Sequence, residues 1–191
     1  MVAMWTAWAG GGTGLYYDRD ILTYQLEGPG VELAASLSTP LLAVATAAVL
    51  AIAALGVRRR CDPSLLLPPL LLALVTGLIL FNKVGSPQFA GWLAAPVILG
   101  LVARRLDGGR LFGAPAALAL VIAGLTQFVY PHLYGYLLRL DTALLLGLTI
   151  RNALYLGLFA WAVAALVRAV RSRPSLDGRT AVSGAGRAAP A

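Results

Sequence analysis

Residues 33–57, LAASLSTPLLAVATAAVLAIAALGV, hold 25 residues without one charge and run straight into Arg58-Arg59-Arg60. As a helix rising about 1.5 Å per residue, this stretch outreaches the roughly 30 Å hydrocarbon core of a bilayer. A soluble core helix has no use for so long a run, so it predicts a membrane span. Thr39, Ala43, Ala47 and Ala51 recur at every fourth residue along it. Such a ridge of small side chains lets another helix approach closely in lipid, and alanine-rich composition also produces ridges by chance.

The rest of the chain repeats the pattern. Only 12% of its 191 residues are charged and 59% are hydrophobic, with a mean hydropathy of +0.80. Soluble domains carry about 25% charged residues, because a water-facing surface needs them. Further spans are expected at 64–81, 89–103 and 111–130. Pro68-Pro69 should kink the second, and Arg104 and Arg105 can snorkel to extend the short third. Residues 142–167 are apolar except for Arg151 and Asn152. An arginine near a helix centre costs about 2.5–3.5 kcal/mol on insertion scales. That cost favours an interfacial stretch to Ile150 followed by a span from Asn152 to Val167, over one continuous span. Either way the fold class is all-α, a polytopic bundle of five transmembrane helices.

Lysine and arginine set the orientation. Eleven lie in the 58–63 and 104–110 loops and the tail after Val167, against three (Arg19, Lys83, Arg139) on the opposite side. The basic side faces the cytoplasm, so the N-terminus is outside, the C-terminus inside, and the location is the cell membrane. The chain divides into an outward segment 1–32, a helical domain 33–168 and a basic tail 169–191. The tail is rich in Gly, Ser, Pro and Ala and reads as disordered. Met1 to Gly14 has no Lys or Arg, so no cleaved leader is expected; the opening looks like the ragged end of something longer.

The net charge of +7 does not point to nucleic acid, because the cations fall in clusters between apolar runs rather than on one face. Membrane lipids are the expected surroundings. One cysteine, Cys61, and one histidine, His132, exclude an intrachain disulfide and make a zinc-type site unexpected. The run at 9–14 (AGGGTG) lacks the Lys-Ser/Thr of a phosphate-binding loop, and no chain of intramembrane acids suggests a proton pump.

Three places could carry chemistry. In Phe81-Asn82-Lys83-Val84-Gly85-Ser86-Pro87-Gln88-Phe89, Ser86 suits an N-cap and Pro87 a first helical position. A helix start beside the Lys83 ammonium makes a seat for a phosphate at headgroup depth. The same residues also read as a plain turn with a snorkelling lysine. Arg151-Asn152 is the second place: a guanidinium in the outer half of a bilayer needs a phosphate, a carbonyl or a carboxylate, with Asp141 or Glu32 as the structural alternatives. The third is outward polar groups, His132 or the acids Asp18, Asp20, Glu27 and Glu32, which could serve as a base or simply be solvated.

The Asn82–Phe89 stretch, followed by Trp92 and Pro96, resembles the KV-x-SPQY…W…P signature of polyprenol-phosphate-sugar-dependent glycosyltransferases, family 87 of the GT-C class. Leu125-Thr126-Gln127-Phe128-Val129-Tyr130-Pro131 with Leu133-Tyr134 is similar to that family's late outward loop. Ile150-Arg151-Asn152-Ala153-Leu154 is similar to the start of its last helix. The resemblance covers about residues 24–168. It implies transfer of a sugar, often mannose, from a polyprenyl phosphate carrier on the outer face, with no further cofactor. Lys83, Ser86 and Gln88 would then lie near the carrier's phosphate or sugar, with Arg151 and Asn152 nearby. Family members are usually more than twice as long, and their catalytic aspartate lies in an N-terminal half with no counterpart here; before the first helix, Tyr24-Gln25-Leu26-Glu27-Gly28-Pro29 replaces the family's histidine and arginine. The resemblance thus implies a C-terminal half that works with a separately encoded N-terminal partner and leaves the catalytic residue unknown. The alternatives are a non-catalytic membrane subunit or remnant of a split gene, and a transporter whose Pro68-Pro69 marks a broken helix.

Overall fold

A computed structural model describes residues 2–20, 23–82, 85–107 and 112–172. The elements run α1 (Val2–Trp8), β1 (Gly14–Asp18), β2 (Thr23–Glu27), α2 (Val31–Arg58), α3 (Pro63–Phe81), a 3-10 segment (Pro87–Leu93), α4 (Ala94–Asp107), α5 (Gly113–Val129), α6 (Tyr134–Leu138) and α7 (Thr142–Arg171). The chain is mostly helical, and α2, α3 and α7 are long and apolar enough to cross a membrane. The apolar stretches Pro87–Ala103 and Gly113–Val129 are shorter.

Much of the apolar surface of α2 faces outward. Leu33 is 63% exposed and Val57 68%, on faces where a water-soluble protein would carry charge. Water would exact a free-energy cost on every such face, whereas acyl chains do not. The inward faces, with α5, make a main core around Leu72, Ile122, Leu158 and Leu166 and a smaller one around Val129, Leu137, Leu144 and Leu145. Two threonines are buried with it. Thr76 donates to the Leu72 carbonyl (2.6 Å) and Thr126 to that of Ile122 (2.7 Å), so each hydroxyl is satisfied within its own helix.

Glycines fix how the helices meet. At Gly56 of α2, Leu66 of α3 and Val170 of α7 close in on the place a Cβ would occupy. Gly77 of α3 lies in the same way against the ring of Phe159, and Gly100 of α4 lies flat under the ring of Phe112 at the foot of α5. One end of the molecule therefore gathers the close of α2, the start of α3 and the close of α7, and is called the arginine end below. The opposite end carries α1, the hairpin and the 130–141 turn, and is called the tyrosine end.

Several expectations change. The chain is not purely helical, because β1 and β2 pair antiparallel with Tyr17 opposite Tyr24. Pro68 and Pro69 lie buried within α3. The third span opens as a 3-10 segment and becomes α-helical only at Ala94. The favoured break before Asn152 is absent: α7 is one helix of 30 residues that runs through Arg151. The Thr39–Ala51 ridge is exposed throughout, and α2 packs instead through Val49, Ala53 and Gly56. The Arg104, Arg105 and Arg110 side chains and the tail from 173 onward lie outside the described residues.

Two helices end in a Schellman turn, whose left-handed residue is ordinarily glycine. After α2 that residue is Arg60 (φ 54), with Cys61 N donating to Gly56 O (3.0 Å) and Arg60 N to Val57 O (2.9 Å). After α6 it is Leu140 (φ 61), with Asp141 N donating to Tyr136 O (3.2 Å) and Leu140 N to Leu137 O (3.0 Å). A side chain in this conformation costs about 1 kcal/mol or more relative to glycine.

Candidate functional site

The lengths of the helices place Arg151. The 19 residues of α3 span about 28 Å and the 30 of α7 about 45 Å. The two run antiparallel from a shared arginine end, with Leu66 and Val170 together at Gly56, and Gly77 beside Phe159. Residue for residue, Phe81 at the end of α3 stands level with Tyr155. Arg151 therefore lies about 6 Å beyond the last turn of α3. Counting along α2, which runs parallel to α7, Arg151 is level with Leu37 and about 6 Å short of Leu33. Both leucines are exposed. Arg151 thus lies about 6 Å inside the outermost exposed leucine of α2.

Among the described residues, no carboxylate partners Arg151. Its Nη2 and Nε donate to Asn152 Oδ1 (3.1 and 3.3 Å), and its Cζ lies 5.9 Å from the centroid of the buried Tyr155 ring. An amide oxygen and a ring face stabilise a guanidinium without neutralising it. Asp141 is committed elsewhere: its carboxylate caps α7, accepting from the N–H groups of Ala143 and Leu144 (3.0 and 3.2 Å). It also stands ten residues, about 15 Å, farther along the helix. Glu32 sits in the first turn of α2.

Of the other expected site residues, Ser86 takes the N-cap position, with extended backbone and Pro87 first in the helix, but makes no side-chain cap bond. It is half-buried, while Gln88 is exposed. The helix start is a seven-residue 3-10 segment that passes directly into α4 at Ala94. Lys83 lies outside the described residues. Asn82 closes α3, its backbone N–H bonded to Leu78 O (3.0 Å).

The tyrosine end is more built than expected from the sequence. Trp5 donates to Thr149 Oγ1 (3.0 Å) and Trp8 to Thr142 Oγ1 (3.0 Å), which fastens α1 along the first turns of α7. Rings continue from Tyr17 to Tyr24 (5.0 Å), Tyr134 (6.3 Å) and Tyr130 (5.6 Å), tying the hairpin to the turn after α5. Burial, and then the neighbouring Tyr24 and Tyr130, push the Tyr134 phenol above its ordinary value. Asp18 accepts from Gln25 Nε2 (2.8 Å) inside the hairpin, and His132 is exposed in the turn after α5. The signal for this end was the concentration of Tyr and Trp in 1–30 and 130–136, residues that favour a membrane–water boundary. Among the described residues no group of His, Cys, Asp and Glu could hold a metal ion.

Compared with protein-family models, curated proteins and solved structures, the chain finds no match in any of the three.

Proposed function

We propose that this chain is the carrier-binding half of a GT-C-type membrane glycosyltransferase. In this reading it spans the cell membrane five times, with its N-terminus outside. Arg151 and Asn152, with Lys83, Ser86 and Gln88, hold a polyprenyl phosphate sugar at the non-cytoplasmic face. The sugar is a hexose such as mannose. The observation that carries the reading is Arg151: a half-buried guanidinium with no carboxylate among its partners in the described residues, just beyond the last turn of α3. A carrier phosphate at that depth would supply the missing charge, and its prenyl chain would lie along the exposed apolar flanks.

A partner supplies the catalytic base. Support comes from Leu33 and Leu37 of α2 and Leu146 and Ile150 of α7, all exposed and all level with or beyond Arg151, where α3 has already ended. A neighbouring helical subunit would cover them. That same overhang favours the second reading, a non-catalytic subunit whose helices only pack against another membrane protein.

The test is photo-crosslinking of labelled polyprenyl-phosphate-mannose in native membranes. A charged hydrogen bond contributes about 1.5–3 kcal/mol, so Arg151→Ala and Lys83→Ala should each cut labelling about tenfold or more. Unchanged labelling in both variants removes the carrier reading and leaves the packing subunit.

A further inference from the structure

The arginine end carries a second concentration of charge that the carrier reading does not use. Arg58 closes α2, Arg59 and Arg60 follow it, and Arg168 and Arg171 lie in the last turn of α7. More than a hundred residues separate the two groups in sequence, and the fold brings them to one place. Arg59 Nη1 donates to Val170 O (3.4 Å), and the Cys61 thiol reaches the same carbonyl (3.9 Å). All five arginines are exposed.

Local demands use up little of this charge. Two helix C-termini end here, each equivalent to about half a negative charge. The adjacent carboxylate, Asp62, caps α3 by accepting from Ser64 N (2.8 Å). Most of the positive charge therefore faces outward. It does so at the rim of the apolar layer, beside exposed Leu55 and Val57 of α2 and Leu65 and Leu67 of α3. Cations above an apolar flank fit a molecule that is anionic at one end and hydrocarbon at the other. Arg60 adds to this, because it keeps a cation at a left-handed position where glycine would be easier on the backbone.

We propose that the arginine end is a seat for an anionic glycerophospholipid. Its phosphate lies among Arg58, Arg60 and Arg171, and its acyl chains lie along Leu55, Val57 and Leu65. The apolar flank selects the lipid over a free phosphate or a nucleotide, and the seat stands or falls independently of any sugar transfer.

Native mass spectrometry of the full chain in neutral detergent tests this, with dioleoyl-phosphatidylglycerol titrated against dioleoyl-phosphatidylcholine. The anionic lipid should be retained at least fivefold more strongly, and the triple variant Arg58→Gln, Arg60→Gln, Arg171→Gln should lose that preference. Arg60→Gly guards against a folding artefact. It should weaken retention of phosphatidylglycerol at least twofold while raising the melting temperature, since glycine suits the turn. Equal retention of the two lipids, or a preference that survives both variants, overturns the proposal. So does displacement of the lipid by sodium phosphate at equal concentration, which would reduce the seat to a simple anion patch.

Discussion

Phe81, the last residue of α3, packs edge-to-face on Phe159 of α7, with ring centroids 5.9 Å apart and planes at 81°. This contact, with Gly77 beneath the same Phe159 ring, sets the axial register of the two helices and so the depth of Arg151. Because the helices share the arginine end, all of the extra length of α7 emerges at the tyrosine end. The 30-residue helix then carries its arginine beyond the last turn of α3.

Glycine packing should govern stability. At Gly100 the Phe112 ring leaves no room for a methyl group, and Phe112 is itself braced by the Trp161 ring at 5.3 Å. Overpacking of this kind costs about 1–3 kcal/mol. Gly100→Ala should therefore lower the thermal midpoint in detergent, although alanine is the better helix former. Gly124→Ala, where nothing stands within 4 Å of the added carbon, should leave the midpoint unchanged or raise it.

Arg151 should act oppositely on stability and on binding. Its partners, Asn152 and Tyr155, do not neutralise it, and an unneutralised arginine in a span is costly. Arg151→Leu should stabilise the unliganded protein by about 1–3 kcal/mol while abolishing carrier crosslinking. Thermal unfolding in lipid nanodiscs checks the first half. A destabilised Arg151→Leu protein would mean that Arg151 is a structural residue.

The cap of α7 should be worth a measurable amount. Asp141 accepts from two otherwise orphaned N–H groups, and loss of such a cap costs about 1 kcal/mol. Asp141→Asn should retain most of that and Asp141→Ala should lose it, as read by thermal melts of the two variants.

Tyr134 predicts alkaline sensitivity. Its folded-state value is raised by burial and by Tyr24 and Tyr130, so folding favours the neutral phenol. The associated stability is fully present below the unfolded value of about 10 and is lost as pH rises through the folded one. Tyr134→Phe should flatten the fall in melting temperature above that pH; an identical fall in both proteins would refute the assignment.

Much of the helical layout was legible because long apolar runs have few alternatives. Residues 33–57 became Val31–Arg58 and 64–81 became Pro63–Phe81. The face on which α2 packs was not legible. Thr39, Ala43, Ala47 and Ala51 form a regular ridge, but alanine-rich helices carry small residues in several phases, and only the partner helix selects one. That partner chose Gly56, under Leu66 and Val170. The break expected at Arg151 assumed a helix matched to the bilayer. The depth of an arginine depends on where its neighbour α3 stops, which the α7 sequence does not encode. The hairpin escaped notice because its register rests on one cross-strand tyrosine pair and on contact with Tyr134. For the candidate site, the sequence supplied the residues, and the axial register supplied the level of Arg151 relative to the end of α3.

The most direct test of the carrier reading is cysteine accessibility at position 85, in a Cys61→Ser, Gly85→Cys protein in intact cells. Nothing lies within 4 Å of a Cβ at Gly85, so the new thiol fits. A membrane-impermeant maleimide should label it from outside, and polyprenyl phosphate added to isolated membranes should slow the reaction severalfold. Labelling only after the cytoplasmic side is opened, or a rate unmoved by the lipid, would contradict the account.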